Sequence, residues 1–187
     1  MTGKLILFAA PSGSGKTTII KHLLELDLNL SFSVSATTRP KRETEQHGKD
    51  YFFLTQEEFK EKINNGSFLE WEEVYEGTYY GTLKTEVDKE LQKGKNILFD
   101  IDVIGAINIK KIYGNQALAL FIKPPSIEIL KERLLIRNTE SEHTLQKRIG
   151  KAEYELTFED QFDITIINEN IFDAQEEAKQ IILNFIS

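Results

Sequence analysis

Residues Ala10-Pro11-Ser12-Gly13-Ser14-Gly15-Lys16-Thr17-Thr18 stand between the apolar run Leu5-Ile6-Leu7-Phe8-Ala9 and the amphipathic stretch Ile19-Ile20-Lys21-His22-Leu23-Leu24. A strand, a glycine-rich turn and a helix in immediate succession form the phosphate-binding loop of an α/β protein. The glycines let the backbone curl until several N–H groups aim at one centre, where the helix N-terminus adds partial positive charge. Lys16 follows the last glycine and reaches the β/γ oxygens of a nucleoside triphosphate such as ATP. The Thr17 hydroxyl is placed for the Mg²⁺ that accompanies those oxygens. The strict pattern has Gly where this chain has Ala10, and a single methyl at the mouth of the loop leaves the Gly13 and Gly15 hinges intact.

Further apolar runs rich in β-branched and aromatic residues recur at Asn96 to Ile101, Ala117 to Ile122 and Ile164 to Ile167, separated mostly by helical patterns. That alternation predicts an α/β fold with a parallel sheet flanked by helices. A last helix opens at Asn170 and carries Ala174, Ala178, Ile181, Ile182 and Phe185 on one face. Between Phe32 and Tyr80 the pattern shifts to Ser, Thr and aromatic alternation with turn signals at His47-Gly48, Asn64-Asn65-Gly66 and Glu76-Gly77, which predicts an inserted antiparallel lobe. Within it, Thr55-Gln56-Glu57-Glu58 is a capping box for a short helix with Phe59 and Ile63 inward. Lys131 to Tyr154 is helical, highly charged and interrupted near Asn138-Thr139, with Arg133, Arg137 and Arg148 spaced as a lid over phosphates requires. Trp71 and the phenylalanines are expected to pack core and lobe.

Composition narrows the remaining classes. The chain has no cysteine, which removes disulfides and thiolate chemistry and makes the cytoplasm the default compartment. Its net charge of −7 disfavours nucleic acid as a partner, and no apolar stretch is long enough to span a bilayer. His22, His47 and His143 lie far apart without metal-ligand spacing.

The segments Phe32-Ser33-Val34-Ser35-Ala36-Thr37-Thr38-Arg39-Pro40-Lys41-Arg42, Gly48-Lys49-Asp50-Tyr51-Phe52-Phe53, Phe68-Leu69-Glu70-Trp71, Tyr79-Tyr80-Gly81-Thr82, Asp100-Ile101-Asp102 and Arg133 through Arg137 to Arg148 follow in order. Together with the phosphate loop they resemble the guanylate kinase family nearly end to end. The resemblance implies the nucleoside monophosphate kinase fold over residues 1–187 as one domain, with core 1–31, 83–130 and 155–187, a GMP-binding lobe 32–82 and a lid 131–154. It implies phosphorylation of GMP, and of dGMP, by ATP with Mg²⁺, in purine nucleotide metabolism. Oligomeric state is left open, a homo-oligomer included.

Residue chemistry agrees with these expectations. Arg39 and Arg42, three apart in a loop, suit a bidentate phosphate clamp, and Ser35, Tyr51 and Tyr80 add hydroxyls. The resemblance assigns Arg39, Arg42, Tyr51 and Tyr80 to the acceptor phosphate and sets Ser35 and Thr82 nearer the base. Guanine presents N1–H and a 2-amino group as adjacent donors, which the acceptor-only carboxylates of Glu70 and Asp102 match and adenine does not. Asp100 ends a buried strand, where it can hold Mg²⁺ through water beside Thr17. Asp100 and Asp102 are expected on one face of that strand. By resemblance Arg137 and Arg148 close over the transferring group, Arg133 supports the donor or the closed lid, and Asn168 lies beside adenine. Taken singly, Glu70 reads as an exposed acid beside Trp71, the lid arginines as a salt-bridged helix surface, and Asn168 as a turn former. The chain departs from many relatives at Ile104, where they carry Gln, and at Asn138, where they usually carry Gly. A non-catalytic interaction module and a GTP-binding switch are the competing classes; intact Lys16 and Thr17 argue against the first, and the lack of an Asn-Lys-x-Asp motif against the second.

Overall fold

The structure, a computed structural model, describes residues 3–136 and 142–187. In chain order its elements are β1 (Leu5–Ala9), α1 (Lys16–Glu25), β2 (Leu30–Phe32), β3 (Ala36–Thr37), β4 (Phe52–Phe53), α2 (Gln56–Asn64), β5 (Phe68–Tyr75), β6 (Thr78–Leu83), α3 (Lys84–Gln92), β7 (Asn96–Asp100), α4 (Val103–Tyr113), β8 (Ala117–Lys123), α5 (Ile127–Ile136), α6 (Glu142–Leu156), β9 (Ile164–Ile167) and α7 (Ile171–Ile186). The strands of the core sheet run in the order β2-β7-β1-β8-β9, every pair parallel.

β1 is apolar at every position because the sheet is covered on both faces. Leu5, Leu7 and Ala9 join Phe99, Phe121 and Ile109 on the side of α3 and α4. Ile6 and Phe8 join Ile19, Leu23, Ala178 and Ile182 on the side of α1 and α7. β2 escapes the sequence reading because it is only three residues long and shows no alternation.

The inserted lobe has a sheet in the order β4-β3-β6-β5. The expectation of an antiparallel lobe needs one correction. β3–β6 and β5–β6 are antiparallel, but β3–β4 is parallel, so the sheet is mixed. The physical reason lies in the connection: a long loop from Thr38 to Tyr51 carries the chain back before β4 starts, where a tight hairpin would have forced antiparallel pairing. Asp102 also departs from expectation. The strand stops at Asp100, and Asp102 is instead the N-cap of α4, its Oδ1 accepting the Gly105 N–H at 2.9 Å.

The lobe has its own small core. Thr55 and Glu58 form the anticipated capping box, and α2 delivers a fully buried Phe59 onto Phe68 and Tyr79, with ring centroids 4.3 and 5.4 Å away. Trp71, expected to pack with the phenylalanines in core or lobe, is 47% exposed, pairs with Gly81 across the sheet and has its ring 6.3 Å from that of Tyr79. Phe59→Ala is expected to cost about 3–5 kcal/mol, the usual cost of deleting a buried aromatic side chain. Urea unfolding checks this, and a loss below 1 kcal/mol would mean that Phe59 is not the lobe's keystone.

Candidate active site

The phosphate loop leaves the carboxyl end of β1 and enters α1 through two residues that require glycine. Gly13 has φ 95° and Gly15, the N-cap of α1, φ 90°. A Cβ on Gly15 would also come within 2.2 Å of Asn168 Nδ2. Asn168 lies underneath the loop, only 3% exposed, and donates from Nδ2 to the Ser14 carbonyl at 2.7 Å. Arg133 on α5 donates from Nη2 to the Asn168 carbonyl at 3.1 Å, so one residue ties the loop to the arm of the expected lid. No side chain among the described residues caps α1, and its first turn holds no acid. Its first N–H groups therefore form a site with a positive dipole end and no internal anion.

Register explains the cluster beside the loop. Phe8 pairs with Asp100 across the β1–β7 ladder, which brings the end of β7 alongside the loop. Lys16 Nζ lies 2.8 Å from Asp100 Oδ1 and donates to the Ile101 carbonyl at 2.8 Å. Thr17 Oγ1 is 3.4 Å from Asp100 Oδ2. These groups, with Asp102, Arg148, Lys151 and Glu155, line a cavity of about 490 Å³. Among the described residues no group of three or more His, Asp and Glu can hold a metal unaided. The Thr17 hydroxyl and Asp100 carboxylate nevertheless form the hard-oxygen pair that suits a Mg²⁺ shared with phosphate oxygens and water.

In the lobe, Arg39 is the best-anchored cation. Its Nη1 and Nη2 donate to Glu45 at 3.1 and 2.7 Å, and Nη1 also donates to the Pro40 carbonyl at 2.8 Å. The guanidinium lies over Tyr51 and Phe53, 5.4 and 5.8 Å from the ring centroids, with the Tyr80 hydroxyl beside it. Tyr51 and Tyr80 meet edge to face at 6.0 Å. Arg42 is exposed, and its backbone N–H donates to Glu45 at 2.8 Å. The Arg39 partnership holds the Glu45 carboxyl below its ordinary range. Ser35 precedes β3, its carbonyl accepting from the Phe52 N–H at 2.9 Å.

Glu70 on β5 faces Thr82 on β6, which donates to Glu70 Oε1 at 2.6 Å. Burial, opposed by that hydrogen bond and assisted by the charge of Asp102, pushes the Glu70 carboxyl up to about 7. Glu72, two residues along, and Glu155 on α6 are raised by burial as well, and Lys151 opposes the rise at both. The structure thus brings Glu70, Thr82 and Asp102 together, and Ser14 through Thr17 with Asp100. Arg148 joins the phosphate cavity from α6, while Arg137 and Asn138 lie outside the described residues. Sequence reasoning missed Glu45, Lys151, Glu155 and the Ile101 carbonyl. The one available signal was for Glu45, an acid a few residues past Arg39 in a turn-rich segment.

A triphosphate loop on a parallel sheet, facing an inserted lobe with an anchored arginine and a buried carboxylate, defines a nucleoside monophosphate kinase, an enzyme of the phosphotransferase class. The family model described as guanylate kinase matches residues 2–184. A guanylate kinase of Bacteroides thetaiotaomicron is 56% identical over 187 residues, spanning 100% of this chain and 92% of the relative. One of Porphyromonas gingivalis is 49% identical, with 98% of each chain covered. The crystal structure of guanylate kinase from Anaplasma phagocytophilum superimposes with a TM-score of 0.77 at 30% identity, covering 99% of this chain and 87% of that one. The chain belongs to the guanylate kinase family.

Because the Glu70 carboxyl is raised from 4.5 to about 7, the folded protein holds a proton there that the unfolded chain has already released. This contribution therefore weakens as pH rises through the interval between those values, by on the order of 3 kcal/mol in total. Glu70→Gln, which keeps the shape and the bond from Thr82, is expected to be more stable than the parent at pH 8 and nearly equal to it at pH 4.5. Urea midpoints for both proteins at the two pH values provide the check, and a difference independent of pH would show that folding does not shift the Glu70 carboxyl.

Proposed function

We infer that the protein is an ATP-dependent guanylate kinase, catalysing ATP + GMP = ADP + GDP, and propose the following division of labour among its residues. The reading is carried by one juxtaposition: Lys16 and the triphosphate loop share a cleft with Asp102, whose charge is felt by the buried, acceptor-only carboxyl of Glu70. A triphosphate donor and a base that offers two adjacent N–H donors fit the two ends of that cleft.

The N–H groups of Ser12 through Thr18 and the N-terminus of α1 receive the ATP phosphates, with Ala10 and Pro11 forming the mouth of the loop. Lys16 exchanges its contacts with Asp100 and Ile101 for the β/γ oxygens. Thr17 directly, and Asp100 through water, would hold Mg²⁺, which when bound neutralises phosphate oxygen charge. Asn168 keeps the loop in shape from below and borders the adenine. Arg39, with Arg42, Tyr51, Tyr80 and Ser35, takes the acceptor phosphate. Glu70, Asp102 and Thr82 read the guanine edge, Glu70 losing its proton as the base docks because a carboxylate and not an acid complements two donors. dGMP fits the same contacts.

Arg148 supports the transferring group from α6, Arg137 joins it, and Arg133 steadies the arm through Asn168. We assign residues 32–82 to a GMP-binding lobe and 131–154 to a lid that close on a core made of 1–31, 83–130 and 155–187. Closure aligns the acceptor oxygen with the γ-phosphorus and excludes water, which would otherwise hydrolyse ATP. Among the described residues no helix is long and apolar enough to cross a membrane. A cysteine-free chain that uses ATP suits the cytoplasm.

Nucleotide products separated after incubation with ATP, Mg²⁺ and GMP, against AMP, UMP and no acceptor, test the whole reading. GDP formation with GMP alone is expected, and its absence would overturn it. Lys16→Ala is expected to lower kcat by roughly 10²–10³-fold while the fold persists by circular dichroism; near-normal turnover would remove Lys16 from the chemistry. Glu70→Ala is expected to cut the ratio of kcat/KM for GMP over AMP by roughly 10²-fold, and an unchanged ratio would show that Glu70 does not read the base.

A further inference from the structure

Glu45 has no part in the roles assigned above, yet it is the most heavily bonded carboxylate of the lobe. One oxygen accepts from Arg39 Nη2 at 2.7 Å, and the other accepts from Arg39 Nη1 at 3.1 Å and from the Arg42 backbone N–H at 2.8 Å. The two side chains are only 19% and 14% exposed. The Glu45 N–H returns a bond to the Arg42 carbonyl at 3.2 Å, closing the turn between them.

A guanidinium has five N–H donors in a rigid plane. Glu45 takes one on Nη1 and one on Nη2, and the Pro40 carbonyl takes the second on Nη1. The two left by Glu45 and Pro40, Nε–H and the second Nη2–H, are parallel and form the side-on fork that matches two oxygens of a phosphate, and the Tyr80 hydroxyl, assigned above to the same phosphate, is hydrogen-bonded to this guanidinium. With the plane pinned on one edge and stacked over Tyr51 and Phe53, the direction of that fork is fixed before any ligand arrives.

We propose that Glu45 is a positioning residue for the acceptor phosphate: by gripping the outer edge of Arg39 and the backbone of Arg42, it aims the side-on fork of Arg39 at the incoming monophosphate. The proposal rests on the reading of Arg39 as the acceptor-phosphate clamp. It opposes a simpler idea, that Glu45 mimics the phosphate and must be displaced by it. Displacement would break three hydrogen bonds, one of them to the backbone of the turn itself. It would also leave the carboxylate unpaired beside the incoming dianion. A fixed clamp loses some net attraction because the Arg39–Glu45 pair is neutral, and gains a receptor that needs no reordering on binding.

The test compares the unaltered protein with Glu45→Gln and Glu45→Asp. Steady-state kinetics give kcat and the KM values for GMP and ATP, and calorimetry gives affinities for GMP and for guanosine, which lacks the phosphate. Glu45→Gln is expected to raise the KM and Kd for GMP about tenfold, the size of one lost charge-assisted contact. kcat, the KM for ATP and the guanosine affinity should stay within about twofold, and Glu45→Asp should recover part of the loss. Tighter GMP binding by Glu45→Gln would establish the competing mimic and overturn the proposal, as would unchanged GMP binding. Equal weakening of GMP and guanosine would mean a collapsed lobe and overturn it too. Failure of the unaltered protein to phosphorylate GMP would instead defeat the underlying reading, and the proposal with it.

Discussion

The hydrogen-bonded register between β1 and β7 governs the whole site. Phe8 opposite Asp100 puts a strand-ending carboxylate beside a strand-ending glycine loop, and the Lys16 ammonium bridges the two. A slip of one residue would turn Asp100 to the other face of the sheet and bury or strand the ammonium. The register is secured by side chains far from any phosphate: Ile6 and Phe8 on one face and Leu5 and Leu7 on the other can reach their separate cores in one arrangement only. Apolar packing thus sets the position of a charge pair to within a hydrogen bond's tolerance.

How much of this could be read from the chain depended on whether the signal was local. The strand, loop and helix at Leu5 to Leu24 were plain because one unbroken segment holds every residue involved, and the capping box at Thr55 was plain for the same reason. The parallel pairing of β3 with β4 was not, since it depends on where a long connection deposits the chain. Asp102 was assigned to a strand because alternation continues through it, although the helix after it claims the residue as a cap. Glu155 and Lys151 belong to no motif and drew no reading from the sequence. Their approach to Glu72 and Lys16 follows from where α6 crosses the cleft, which no spacing encodes.

The cleft also holds its charges unevenly. On one side Glu70, Glu72, Asp102 and Glu155 crowd together, and burial raises three of these carboxyls; on the other side Arg39 and Lys16 are each matched with one acid. Cations that are already paired do not collapse onto one another or recruit stray anions, and each keeps a defined orientation. Among the crowded acids Glu70 is the most perturbed, its carboxyl pushed up to about 7 chiefly by burial.

The uncapped start of α1 has a consequence for the molecule as a folded object. A helix whose leading N–H groups lack side-chain acceptors is a fold with one stabilising contact missing, and the phosphates of its own substrate are the natural cap. A ligand bound only by the native state adds to its stability in proportion to the logarithm of its concentration. For this chain nucleotide is therefore a stabiliser of the fold as well as a reactant, and in a cell short of ATP the enzyme would have a smaller margin of stability.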